Sequence, residues 1–345
     1  MVSNMGYNDN KKGEEKPESS QSPPPFGGDL GGCIIVHCPA TVANLVCGFD
    51  ILGLALNAPY DIMEVKLLDE PKVIIHNRDS FNLPTDPEKN VAGVVFLAAM
   101  EKIGGNTGFE VTIEKHIKPG SGIGSSAASA AGAAVAANYL MGNIFSTDEV
   151  VQLAMNGEKL ASGVKHADNI APCILGGVSL IRSIHPLDII SIPSPDLFVT
   201  VVHPLIEVRT SDARQILRQQ VLLKDAIRQW GNIAGLVAGF LKNDLDLIGR
   251  SLEDVIIEPI RSILIPGFDE VKTKCKEAGA LGGGISGSGP SIFMLCKEHK
   301  TAIEVETVMK QVYDRIGIDY NTYVTTINKK GVEVQNANVK MKKMC

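Results

Sequence analysis

The sequence predicts an α+β protein made of two domains, and three observations carry that prediction. Strand-like and helix-like segments alternate without the regular βαβ rhythm of a doubly wound sheet. A turn cluster, 193-PSPD-196, interrupts the chain and is followed at once by a fresh apolar strand. The chain has 345 residues, long for one domain and comfortable for two, and 44% of them are hydrophobic, enough for a sizeable core. The division read from this is a tail at 1–32, a first domain at 33–195, a second at 196–336 and a polar tail at 337–345.

The tail comes first. The stretch 11-KKGEEKPESSQSPPPFGG-28 is polar and rich in Pro, Gly and Ser. It buries too little to offset the entropy of ordering, so disorder is expected. It lacks the apolar run of a secretory signal, and its acids speak against an organellar transit peptide.

In the first domain, 33-CIIVHC-38, 62-IMEVKLL-68, 72-KVIIH-76 and 109-FEVTIEK-115 read as strands, rich in β-branched residues and partly alternating. Residues 89–103 repeat apolar side chains at helical spacing and stop at Gly104 and Gly105. The alanine-dense 127-AASAAGAAVAANYL-140 is a strong helix former. Thr147 and Asp148 are expected to cap a helix reaching about Ala161. In the second domain, 197-LFVTVV-202, 291-SIFMLC-296 and 322-TYVTTI-327 read as strands. Helices are expected over 211–221, 223–241, 245–255, 268–279 and 301–317.

Charge and composition exclude some functions. The net charge of −6 shows no basic stripe for nucleic acid. No apolar run approaches the roughly 20 residues of a membrane span. The seven cysteines form no CxxC pair and no zinc spacing, and read as reduced, mostly buried residues of a cytoplasmic protein.

One stretch points to chemistry: 118-KPGSGIGSSAAS-129. Glycines at 120, 122 and 124 allow positive φ and close approach of a ligand. Ser125 and Ser126 stand where the alanine-rich helix begins. A helix start offers unpaired N–H groups and a partial positive charge, which suits a phosphate. The stretch is neither G-x-x-x-x-G-K-[ST] nor G-x-G-x-x-G, so it makes a third kind of phosphate cradle. A second dense run, 279-GALGGGISGSGPSIFML-295, is expected to form the floor beneath it.

Together 38-CPATVANLVCGFDILGLAL-56, 118-KPGSGIGSSAAS-129 and 282-GGGISGSGPSIFML-295 resemble, in order and spacing, the three signature motifs of the GHMP kinases. The resemblance covers about residues 34–334. The texts 158-EKLASGVKHADN-169 and 258-EPIRSILIPG-267 place it nearest the branch acting on homoserine. It implies a ribosomal-protein-S5-domain-2-like first domain, a ferredoxin-like second domain, and a cleft where ATP meets a small hydroxylated amino acid. It further implies a homodimer and a phosphorylated product on the way to threonine.

Carried onto this sequence, the resemblance implies that Lys118, Pro119, Gly120, Ser121, Gly122, Ile123, Gly124, Ser125, Ser126, Ala127 and Ala128 wrap the ATP phosphates. Ser126 and Glu158, the catalytic pair, would hold Mg²⁺. Asn44, Asp50, Asp168, Arg214 and Arg261 would surround the substrate. By charge the arginines would grip its carboxylate; Asp50, Asp168 or both would meet its ammonium; Asn44 would orient its hydroxyl. Mevalonate has no ammonium, which would leave those two acids without purpose. Asn169 stands where relatives acting on mevalonate and galactose carry an aspartate base. An amide takes no proton, so transfer without a carboxylate base is expected. Val46 replaces the first glycine of the usual N-L-G-x-G-F-D, and either its φ is negative or the turn differs.

Overall fold

The computed structural model describes residues 32–104 and 106–336. The expectations for the two tails and for Gly105 lie outside the described residues.

The chain runs β1 (Ile34–Ala43), β2 (Leu52–Leu68), β3 (Val73–Asn77), α1 (Val91–Ile103), β4 (Gly108–Glu114), α2 (Ser125–Leu140), α3 (Thr147–Ser162), α4 (Ile170–Leu175), β5 (Val178–Ile184) and β6 (Leu187–Ile192). It continues β7 (Phe198–Pro204), α5 (Thr210–Gln215), α6 (Leu223–Lys242), α7 (Leu245–Ser251), α8 (Glu258–Arg261), α9 (Phe268–Glu277), β8 (Gly282–Ile285), β9 (Ile292–Cys296), α10 (His299–Ile316), β10 (Tyr320–Thr326) and β11 (Glu333–Asn336). The first sheet is ordered β11-β1-β2-β4-β3, with β5 on β2 and β6 on β5. The second is antiparallel in the order β10-β7-β9-β8, the ferredoxin-like arrangement. Because β11 pairs with β1, residues 333–336 belong to the first sheet.

α2 is buried nearly all round, as an alanine-dense helix at the centre of a domain should be. It packs against β1, α1, α3 and α4. A Cβ at Gly132 would stand 2.3 Å from Cys38 Sγ, so the closeness of α2 to β1 depends on that glycine. One apolar cluster fills the first domain and extends through Leu236, Phe240 and Phe293 into the second. Another, around Phe268, Met294, Met309 and Tyr313, sits between the second sheet and α9 and α10. The six described cysteines are free and five are buried.

Several elements differ from expectation, each for a local reason. α3 is capped by Ser146, which exchanges bonds with Glu149 in a capping box, so the cap lies one residue before the expected Thr147. α7 ends at Ser251 because the Asp254 carboxylate takes the N–H groups of Ile256, Ile257 and Glu258 and starts a new turn. α5 stops at Gln215, where helix was expected to Val221. β8 is three glycines and an isoleucine, a poor strand by propensity. A Cβ at Gly283 would lie 1.9 Å from Phe293 O, so the tight strand pairing selects glycine over propensity.

Candidate active site

A cleft of about 380 Å³ is lined by both domains, and the loop before α2 forms its middle. That loop is held from behind. Ser291 Oγ donates to Ser121 O at 2.6 Å, Ser286 Oγ donates to Gly122 O at 2.8 Å, and the Thr41 N–H donates to Ile123 O at 3.1 Å. Three successive carbonyls are thus engaged by β1 and by the second glycine run, which forms the expected floor. Among the described residues none accepts from the N–H of Gly122 or Gly124. Gly122 has φ +83° and Gly124 φ +74°; a Cβ at Gly124 would meet Thr41 Oγ1 at 1.9 Å. Gly124 also starts α2, adding the open donors of a first helical turn.

Pro119, Gly120, Gly122, Gly124, Ser125 and Ser126 line the cleft. Ser121, Ile123, Ala127 and Ala128 have buried side chains, so of these four only the backbone could serve a ligand. Lys118 is half-buried and lies outside the lining; its charge acts instead on His203, whose imidazole burial and that charge push down to about 4. Ser126 Oγ donates to Glu158 Oε2 at 3.1 Å. A hydroxyl and a carboxylate side by side at a helix start are hard oxygen donors of the type that Mg²⁺ accepts.

Beyond the loop, Leu83, Pro84, Lys89, Asn90, Val91 and Ile113 line one end of the cleft. Sequence reasoning missed this end. Asn90 carried a signal, since Asn is a favoured helix cap; it accepts from Ala92 and Gly93 N–H at 2.9 and 3.2 Å.

The other end is charged. Arg214 donates to Asp50 Oδ1 at 2.7 Å, and His166 Nδ1 lies 3.8 Å from the same oxygen. Burial holds the His166 imidazole below its ordinary value against the opposing pull of Asp50. Arg261 donates to Ala213 O at 3.0 Å and Gly287 O at 3.1 Å, and stacks 4.8 Å over the Phe49 ring. Burial first, and the neighbouring Arg214 second, lower its guanidinium to about 10. Asp168 is 5% exposed. Burial, followed by Asp50 and Glu158, pushes its carboxyl up to about 7.

All five expected substrate residues therefore meet at one end of one cleft. Asn44 is engaged on both sides: its Nδ2 donates to Gly287 O at 2.8 Å and its Oδ1 accepts the Asp50 N–H at 3.0 Å. It sits in a left-handed turn in which Asn44, Leu45 and Val46 have φ of +71°, +40° and +66°. The alternative of a negative φ at Val46 is thus replaced by a β-branched residue in left-handed backbone, a strained conformation. Asn169 Oδ1 accepts from Thr41 Oγ1 at 2.7 Å, which ties the start of α4 to β1 beside the loop.

Comparison with known proteins shows the family. The family model of the GHMP kinase N-terminal domain matches residues 90–177, and that of the GHMP kinase C-terminal region matches 236–315. A homoserine kinase of Chloroherpeton thalassium is 43% identical over 86% of this chain and 97% of its own length. One of Methanocella arvoryzae is 42% identical over 88% of this chain and 97% of its own. The crystal structure of a homoserine kinase from Cytophaga hutchinsonii superposes with a TM-score of 0.86 at 46% identity, covering 90% of this chain and 100% of that one. A mevalonate kinase from L. major, 15% identical with a TM-score of 0.66, shares the fold.

Proposed function

The chain belongs to the homoserine kinase family of the GHMP kinases, and from that premise we propose that it transfers the γ-phosphoryl group of ATP to the hydroxyl of L-homoserine, giving O-phospho-L-homoserine for threonine synthesis. The observation that carries the reading is the make-up of the cleft. A loop with outward-tied carbonyls meets an end that pairs two carboxylates with two guanidinium groups.

The nucleotide base enters the end lined by Leu83, Asn90, Val91 and Ile113, and backbone N–H groups of 120–126 take the phosphates. Ser126 and Glu158 would hold Mg²⁺, which when bound neutralises phosphate charge. At the other end Arg214 exchanges Asp50 for the substrate carboxylate, and Asp168 meets the ammonium. Asn44 holds the Asp50 turn against Gly287 and so sets where the hydroxyl sits. Asn169 takes no proton, and its amide oxygen is committed to Thr41. Transfer then depends on in-line positioning and charge neutralisation, because a loose phosphoryl transition state asks little of a base. One observation favours a second reading: the Asp168 carboxyl near 7 matches what a general base needs. A kcat-against-KM split in Asp168→Asn separates the two. An ammonium partner raises KM for homoserine; a base lowers kcat.

The deciding experiment is coupled ADP release with homoserine, mevalonate, galactose and threonine as acceptors. Activity on mevalonate with none on homoserine overturns the assignment. Among the described residues no helix is long and apolar enough to cross a membrane. The buried, free cysteines support the cytoplasm as its compartment. A homodimer is carried over from the resemblance and is checked by light scattering.

A further inference from the structure

Behind the phosphate loop lies a charged pair that the proposed reaction does not touch. Asp61 of β2 and Lys115, just past β4, form an ion pair whose side chains are 0% and 1% exposed. Lys115 Nζ donates to Asp61 Oδ2, to Ser125 O at 2.8 Å and to Ser129 Oγ at 3.0 Å. An ammonium has three protons, and all three are committed. Asp61 Oδ1 accepts from the His116 and Ile117 N–H groups, both at 2.8 Å. Ser125 Oγ closes the circuit by donating to Ile117 O at 2.8 Å.

Residues 117 and 125 are the two ends of the glycine loop. One carboxylate holds the first end, one ammonium holds the second, and a hydroxyl joins the ends. Stability alone is a weak account of such a pair, because well-packed apolar residues of similar volume often serve a core as well or better. The glycines between the ends have little stiffness of their own, so the shape of the arc depends on the ties at carbonyls 121–123 and on the spacing of the ends.

We propose that Asp61 and Lys115 form a clasp that fixes the mouth of the phosphate loop, and that both are positioning residues for the nucleotide. The proposal rests on reading residues 118–128 as the phosphate site. Lys115 borders the cleft. Its protons face Asp61 and the start of α2, so its action on ATP runs through the loop.

Steady-state kinetics on Asp61→Asn and on the charge-balanced Asp61→Asn/Lys115→Met test this, with a thermal melt on each. KM for ATP is expected to rise about 10- to 100-fold in both, while KM for homoserine stays within about twofold. The single variant leaves a buried ammonium without its counter-ion and is the one at risk of not folding; the double variant then decides. A folded double variant with KM for ATP within about twofold of wild type overturns the clasp. Failure of both variants to fold makes the pair a core stabiliser and also ends the proposal. Gly122→Val guards the underlying reading: with φ +83° and a Cβ 2.5 Å from Gly289 O, it deforms the loop directly. If it raises KM for ATP and the double variant does not, the phosphate site stands and the clasp falls. If Gly122→Val leaves KM for ATP unchanged, the phosphate reading falls first.

Discussion

The two ends of the cleft are built of different material. Around the loop the proposed binding groups are main chain: glycines, small side chains and the first turn of a buried helix, with carbonyls tied away by Ser286, Ser291 and Thr41. At the other end the proposed binding groups are side chains of Asp50, His166, Asp168, Arg214 and Arg261, several of them paired with one another. Main-chain donors are fixed by the fold before any ligand arrives. Charged side chains must first leave a partner, so in the proposed reading that end favours a ligand whose charges replace the Arg214–Asp50 pairing.

Four measurements test this contrast. The largest effect is expected from Glu158→Gln, the carboxylate proposed to serve the main-chain end. Turnover should fall by about 10²–10³-fold with an unchanged circular dichroism spectrum; near-normal turnover would show that backbone donors suffice there. Arg214→Ala comes next. It removes the hydrogen-bonded partner of Asp50 and should raise KM for homoserine about 10- to 100-fold with KM for ATP unmoved. A matched rise in both would merge the two ends into one functional unit.

The third concerns pH. The Asp168 carboxyl, raised to about 7, must ionise to meet an ammonium, so kcat/KM for homoserine should climb up to about tenfold per pH unit below that value and then level off. Asp50, Glu158, His166, Arg214 and Arg261 surround it and shape the curve. Asp168→Asn should flatten the profile. The sign for folding is opposite to that of an ordinary salt-bridged acid. With a folded value above the unfolded one, the native state holds a proton that the unfolded chain releases, and stability drops as pH rises from about 4 to 7. The Asn variant should therefore melt higher than wild type at pH 8 and show no such gain at pH 4. A pH-independent difference in melting would assign the effect to packing. The smallest change is expected from Val46→Gly. Relief of left-handed strain, roughly 1–2 kcal/mol, nearly offsets the loss of a buried side chain, so stability should move by less than about 1 kcal/mol. A loss above about 2 kcal/mol by denaturant titration would mean that packing of Val46 against Gly284 outweighs the strain.

The same contrast explains what could be read in advance. The main-chain end occupies one contiguous stretch, and its ingredients are local: alternating glycines, two serines, then alanines. The charged end is gathered from positions 44 to 261, where nothing in the spacing says that Asp50 and Arg214 will touch; only the family likeness brought them together. Asp61, Lys115, Leu83 and Asn90 escaped both routes, since a lone acid in a strand and a lone lysine after one look like surface residues. The strand β8 escaped because glycine carries no propensity signal, and the demand for close pairing lies in its partner β9.

The pairing of β11 with β1 has a consequence during synthesis. The strand made among the first receives its outer neighbour only when the last part of the second domain has been translated. At about 5–20 residues per second the edge of β1 is open for tens of seconds on the ribosome.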